Sequence, residues 1–114
     1  MAKKKIAKKK VEPVFLEFKG FLSFLILHEV SINSLTGKDL AKKIGARKGA
    51  TLTAGTIYPA LKKLRAKKLV KYKRFGRNKV YYLTEVGEKT LEEQYKIFSR
   101  YFYGLKKFIK RKNL

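Results

Sequence analysis

The chain contains no cysteine, which excludes disulfides and thiolate metal sites. It has a single histidine, His28, and only 8 acidic residues among 114. A metal centre or acid–base catalyst would need companions for that histidine or paired carboxylates in a polar pocket, and neither pattern is present; a glycine-rich phosphate loop is also missing. No enzyme, cofactor or metal is expected. His28 closes a predicted helix and is read as structural, packing there or complementing the helix dipole. Proline is confined to Pro13 and Pro59. No apolar run approaches the roughly 18 residues that span a membrane. The run "FLSFLIL", residues 21–27, is read as a buried helix segment. The N-terminal "MAKKKIAKKK" lacks the apolar core of a signal peptide. A soluble, intracellular protein is the expectation.

What the chain has in excess is positive charge. Thirty Lys and Arg against 8 Asp and Glu give a formal net charge of +22, which opposes compaction unless something anionic neutralises it. Nucleic acid, an acidic membrane and an acidic protein all qualify on charge alone, so the placement of the charges must choose between them. Residues 1–12, with six lysines, are too poor in apolar side chains to offset the cost of ordering and form a basic flexible arm able to follow phosphates. The remainder has enough apolar material for a modest core: 45% hydrophobic residues overall, with 7 Tyr and 8 Phe.

Pro13 opens a predicted first helix over 14–30, where Phe15, Phe18, Leu22, Leu25, Ile26 and Val30 return at three- and four-residue steps. Phe21, Phe24 and Leu27 fill much of its other side, which implies burial on two faces. Thr36 caps a second helix, Gly37 to Ile44, with an apolar stripe of Leu40, Ala41 and Ile44; Gly45 is placed to end it. After the basic turn "ARKGATL", Thr53 caps a third helix running to about Lys68. "LVKYKRF" and "KVYYLT" alternate as half-buried strands around a three-residue "GRN" loop. Thr84 then caps one long final helix of about 25 residues, with Glu85, Glu88, Glu92 and Glu93 near its positive end. Along it Leu91, Tyr95, Phe98, Phe102, Leu105 and Ile109 recur at steps of 4, 3, 4, 3 and 4, a coiled-coil-like seam.

Helix, helix, helix, hairpin, helix is the order of a winged helix-turn-helix, in which the third helix enters the DNA major groove and the hairpin lies on the neighbouring backbone or minor groove. The predicted fold is mainly α with a small β-hairpin (α+β): a basic arm (1–12), a winged helix-turn-helix domain (13–83) and a C-terminal dimerisation helix (84–114). With Ile57 at the centre of the inward face of the third helix, Leu61 and Leu64 fall within about 40° of it, while Gly55, Pro59, Lys62 and Ala66 point outward. Pro59 removes only the bond back to the Gly55 carbonyl, and Gly55 lets the backbone approach a phosphate closely. The pair is read as shaping a slim leading end for a groove. Between Lys38 and Tyr82 stand fifteen basic residues against Asp39 alone, whereas a merely soluble surface would mix signs. Lys38, Thr53, Gly55, Thr56, Tyr58, Pro59, Lys62, Lys63, Lys73, Arg74, Arg77, Asn78 and Lys79 form the candidate DNA-binding set. Lys62 and Lys63 are read as phosphate contacts, Tyr58 as a hydroxyl contact and Arg77, at the wing tip, as a minor-groove residue. Arg65 lies toward the side of the helix, and with no Asn or Gln on the third helix sequence selectivity is expected to be modest.

The run "GTIYPALKKLRAKKLVKYKRFGRNKVYYLTEVGEKTL", residues 55–91, resembles the signature of PadR-type transcriptional regulators, and "KGFLSFLILHEVSINSLTGKDLAKKIG", residues 19–45, resembles that family's first two helices. The resemblance covers roughly residues 14–110 and rests on the Gly-Thr-x-Tyr-Pro turn, the aromatic wing strand and the Leu-Thr-x-x-Gly start of the last helix, in that order. It implies a homodimeric DNA-binding regulator, with repression as the expected sign, whose last helix pairs with the partner's first and last helices. Phe15, Phe18, Leu22, Leu91, Tyr95, Phe98, Phe102 and Leu105 are the candidate interface. It also implies that Thr56, Tyr58, Lys62, Arg77 and Lys79 lie near double-stranded DNA, in the cytoplasm on the nucleoid. The chain departs from the family pattern in its lysine arm, its extreme charge and its single C-terminal helix, and no effector follows from the sequence. Two other classes stay open: a ribosomal or other RNA-binding winged-helix protein, which predicts RNA preference and a monomer, and a nonspecific architectural DNA-binding protein.

Overall fold

The computed structural model describes residues 20–47 and 49–113; the basic arm, Phe15, Phe18 and Lys48 lie outside them. The elements run α1 (Phe21–Ile32), β1 (Leu35–Thr36), α2 (Gly37–Ala46), α3 (Ala54–Ala66), β2 (Val70–Phe75), β3 (Asn78–Leu83), α4 (Glu85–Tyr101) and α5 (Leu105–Arg111). The three helices and hairpin of the expected winged helix-turn-helix are all present, in the expected order.

Four helices and the hairpin share one core: Ile26, Leu27 and Val30 from α1, Leu40, Ala41 and Ile44 from α2, Ile57, Leu61 and Leu64 from α3, Val70 and Tyr81 from the hairpin, and Leu91 from α4. Burying a Leu or Ile side chain is worth roughly 1.5–3 kcal/mol, so this set is the main source of stability. The α2 and α3 stripes are the predicted ones. On α1 the core stripe is Ile26, Leu27 and Val30, so Leu27 belongs to the inner face and Leu22 and Leu25 only flank it. Leu91, expected between chains, is a core residue of its own chain, 4% exposed.

Caps fix the helix starts. Thr36 Oγ1 accepts from the Asp39 N–H at 3.0 Å, and Thr84 Oγ1 accepts from the Gly87 N–H at 3.0 Å. Thr53 behaves differently: its hydroxyl meets the Thr56 hydroxyl at 3.1 Å and makes no backbone cap. Helix α3 stops at Ala66, two residues before the expected end, because Lys68 turns left-handed at φ 62. The Leu69 N–H then reaches the Leu64 carbonyl and the Lys68 N–H the Arg65 carbonyl, a Schellman closure built on a lysine.

The sheet has three antiparallel strands in the order β1-β3-β2. β1 pairs Leu35 with Tyr81 and Thr36 with Val80; two residues are too few to show a period in the sequence. In the hairpin Phe75 pairs with Asn78, so the turn is Gly76-Arg77 and not a three-residue loop. Gly76 takes φ 64 in first place, as a type II′ turn demands.

The C-terminal region is two helices and not the single long helix the seam suggested. Gly104 adopts φ 80 between α4 and α5, and the residue pattern runs on through a break that the backbone freedom of glycine permits. α5 buries none of its side chains.

Gly45 does not end α2, which continues to Ala46. Its missing side chain serves packing: a Cβ there would collide with the Ala50 carbonyl oxygen and lie 2.7 Å from Thr51 Cα, where the turn to α3 crosses the helix. Gly45→Ala is expected to lower stability by about 2 kcal/mol, within the usual range for overpacking, read as a fall in melting temperature of about 8–16 °C.

Candidate nucleic-acid interface

With Ile57, Leu61 and Leu64 buried, the rest of α3 is set outward by helical geometry: Thr53, Gly55, Thr56, Tyr58, Pro59, Lys62 and Lys63 are all exposed. Pro59 sits in the sixth position of the helix, which continues without interruption. Thr56 and Ile57 both donate to the Thr53 carbonyl, so the first turn is closed ahead of the proline. Gly55 is confined by nothing: an added Cβ would meet only Thr53 Oγ1, at 3.9 Å, and its φ is not one that requires glycine. Neither packing nor backbone conformation within the chain explains a glycine at this position.

Tyr58, Lys62 and Arg65 stand at i, i+4 and i+7 and so share one edge of α3. Both ends of that edge touch other elements. The Tyr58 ring lies over Gly37 at the start of α2, so close that a Cβ on Gly37 would come within 2.6 Å of Tyr58 Cε1. At the other end, the Arg65 guanidinium stacks over the Tyr72 ring of β2, 4.6 Å from its centroid. The edge therefore faces the wing. Between them opens a cleft of ≈ 540 Å³ lined by Thr36, Gly37, Lys38, Asp39, Tyr58, Arg77, Asn78, Lys79 and Tyr81. Five predicted residues, Lys38, Tyr58, Arg77, Asn78 and Lys79, are thus gathered from three separate elements into one hollow.

The remaining predicted residues stand outside this hollow. Arg74 pairs with Lys79 across the hairpin, on the same strand face as Tyr72 and Tyr81. Lys73 lies on the opposite face, its ammonium 5.5 Å from the Tyr82 ring centroid. Thr53, Thr56, Pro59 and Lys63 belong to the leading end and far edge of α3. Burial pushes the Tyr81 hydroxyl above the usual tyrosine range, against the opposing pull of the Arg65 cation nearby.

Tyr72, Tyr81, Arg65, Thr36 and Gly37 were not in the predicted set. Arg65 was detectable in the seven-residue step from Tyr58; Gly37 and Thr36 were not, because only folding brings the start of α2 under Tyr58. The described ion pairs are Arg47 with Glu29, 2.8 Å, and Lys96 with Glu93, 3.3 Å. The bases of the cleft are in neither, and Asp39 is the only acid lining it.

The predicted interface between chains is divided. Tyr95 and Phe98 pack on α1 of the same chain: Phe24 meets Tyr95 edge-on at 5.7 Å and stacks on Phe98 at 5.4 Å. His28 Nδ1 bonds the Tyr95 hydroxyl at 2.6 Å, the structural role expected for that histidine. Phe102 leans on Phe98, with ring centroids 4.5 Å apart. Beyond them Tyr101, Tyr103, Leu105, Phe108 and Ile109 are exposed. Among the described residues no cluster of His, Asp or Glu could hold a metal, and no helix is long and apolar enough to cross a membrane.

Among curated proteins none is significantly similar to the chain. Solved structures are. A PadR family transcription regulator from hypervirulent Clostridium difficile R20291 is 27% identical with a TM-score of 0.60, covering 81% of this chain and 97% of that one. F93 from STIV, a winged-helix DNA-binding protein, is 27% identical with a TM-score of 0.68, covering 77% and 98%. The smu.1704 protein of Streptococcus mutans UA159 is 26% identical with a TM-score of 0.69, covering 86% and 94%. The model of the transcriptional regulator PadR-like family matches residues 26–93, from the core of α1 through the hairpin into α4. Fold and match agree, and the chain belongs to the PadR-like family of transcriptional regulators, which are DNA-binding proteins and not enzymes.

Proposed function

We propose that this protein is a sequence-specific regulator that binds double-stranded DNA as a homodimer, with α3 in the major groove and the wing on the adjacent backbone or minor groove, and that it represses by occupying its site. The observation that carries this is the trough beside α3 and the wing: Lys38 of α2 and Arg77 and Lys79 of the wing line it together with Tyr58 of α3, and the leading end of α3 is stripped to Gly55, Thr56 and Pro59. Lys62, Lys63, Lys38 and Arg74 are placed to hold phosphates, which fix register without reading bases. Arg77, at the wing tip, is the residue aimed at a minor groove. The basic arm adds sequence-independent attraction, and the protein resides on the nucleoid.

In this reading residues 13–83 form the DNA-binding unit and 84–114 the dimerising one. The support for a dimer is the apolar surface that the chain leaves open on α4 and α5, where Tyr101 is 75% exposed and Phe108 54%. So many exposed large apolar side chains in one short region are uncommon on a small monomeric domain. It also weighs against the ribosomal alternative, which would leave that surface in water. A nonspecific architectural role is the reading that the charge favours.

The deciding experiment is selection of bound duplexes from a random pool at about 0.15 M salt with RNA as competitor. An enriched palindrome is the expected result; no enrichment would favour the architectural role, and displacement by RNA the ribosomal one. Lys62→Ala and Arg77→Ala are each expected to weaken binding and to lower the slope of log K against log salt by about one unit. Gly55→Ala should separate folding from function: stability rises by about 0.5–1 kcal/mol, as for a glycine replaced inside a helix, while duplex affinity falls. Phe108→Asp with Ile109→Asp, both exposed within the chain, should convert dimer to monomer in sedimentation equilibrium without lowering the monomer's helix content.

A further inference from the structure

The core-side face of the hairpin changes character along its length. Val70 and Leu83 begin it, Tyr72 and Tyr81 follow as a directly opposed pair, and Arg74 and Lys79 come next. Residues two apart on a strand share a face, so the apolar floor beneath α3 becomes, within two residue pairs, a cationic ledge. Tyr72 stands at the change. Its ring is met by the Arg65 guanidinium of α3 at 4.6 Å, the Lys79 ammonium of β3 at 4.8 Å and the Arg74 guanidinium of its own strand at 6.0 Å.

Three like charges drawn to one ring repel each other, and none of the three is paired with an acid among the described residues. The ring quadrupole attracts cations to its face but does not neutralise them. An arginine held over a tyrosine ring by its charge still has N–H donors to offer an anion. The cluster is therefore held in place while its charge stays unsatisfied, and its members come from α3 and from both strands of the hairpin.

Resting on the DNA-binding reading above, we infer that Tyr72 is a positioning residue for the duplex: it gathers Arg65, Arg74 and Lys79 into one phosphate clamp joining α3 to the wing, and Arg65 is a DNA backbone contact. The clamp sets how far the wing opens from the helix when the backbone seats between them. Tyr72 itself touches no phosphate. Its contribution is the ring face, so phenylalanine replaces it and an aliphatic residue of similar bulk does not.

The test is a salt titration of duplex binding by fluorescence anisotropy for the full chain and its variants, with thermal melting measured on each. Tyr72→Phe is expected to bind within about twofold of the natural chain. Tyr72→Leu should bind about three- to tenfold more weakly, with a shallower salt slope. Arg65→Gln should lower the slope by about one unit, and adding Tyr72→Leu to it should cost much less than Tyr72→Leu alone. Equal affinities for Tyr72→Leu and Tyr72→Phe, or effects of Tyr72→Leu and Arg65→Gln that simply add, would overturn the inference. If Tyr72→Leu fails to fold, Arg65→Gln decides, since Arg65 is exposed: an unchanged slope overturns the clamp. Failure of the natural chain to bind duplex at low salt would instead defeat the DNA-binding reading, and the clamp with it.

Discussion

The burial of Ile57, Leu61 and Leu64 is the constraint from which the rest follows. A helix can rotate about its axis at little cost unless one stripe is committed to a core, and here the stripe is gripped by α1, α2 and the root of the hairpin. Once it is fixed, every other side chain of α3 has an assigned direction. Gly55, Pro59 and Lys62 must face away, and Tyr58, Lys62 and Arg65 must face the wing. The exposed surface is thus a consequence of the hidden one, and a change in the core would turn the whole cationic face.

Tyrosine and glycine set the distances between the elements so oriented. Tyr58 rests on Gly37 and thereby fixes the gap between the start of α2 and α3, while Tyr72 and Tyr81 form the floor where α3 meets the hairpin. Gly45 lets the turn between α2 and α3 cross closely enough for the two helices to share the core. These contacts are partly apolar, and they hold in place charges that would otherwise spread over the surface. A positive surface becomes a shaped one because aromatic rings and missing side chains determine where the charges stand.

Most of this was legible in the chain, element by element. The three-and-four spacing of Leu40, Ala41 and Ile44, and of Ile57, Leu61 and Leu64, identified the inward faces correctly, because a helix with one polar side has only one way to bury the other. The hairpin showed itself by alternation and by the glycine in its turn. Legibility failed where a signal was too short or had two causes. β1 is two residues long, so its pairing with β3 leaves no period. Gly45 looked like a helix end and is a packing glycine, since a sequence does not distinguish a glycine chosen for φ from one chosen for space. The apolar seam beyond Tyr95 ran unbroken past Gly104, and the backbone did not. Leu91 fitted that seam equally well as a partner's contact or as part of its own core.

The sequence by itself determined that the partner is anionic and that three helices precede a hairpin: charge of one sign concentrated between Lys38 and Lys79 is a local, additive property, and amphipathic periods are written residue by residue. The tertiary structure alone decided which charges act together. Lys38, Tyr58 and Arg77 are far apart along the chain and meet around one hollow only because α2, α3 and the hairpin pack on a common core. Arg65 and Lys79 likewise share the ring of Tyr72 only because α3 packs against the hairpin face that carries it.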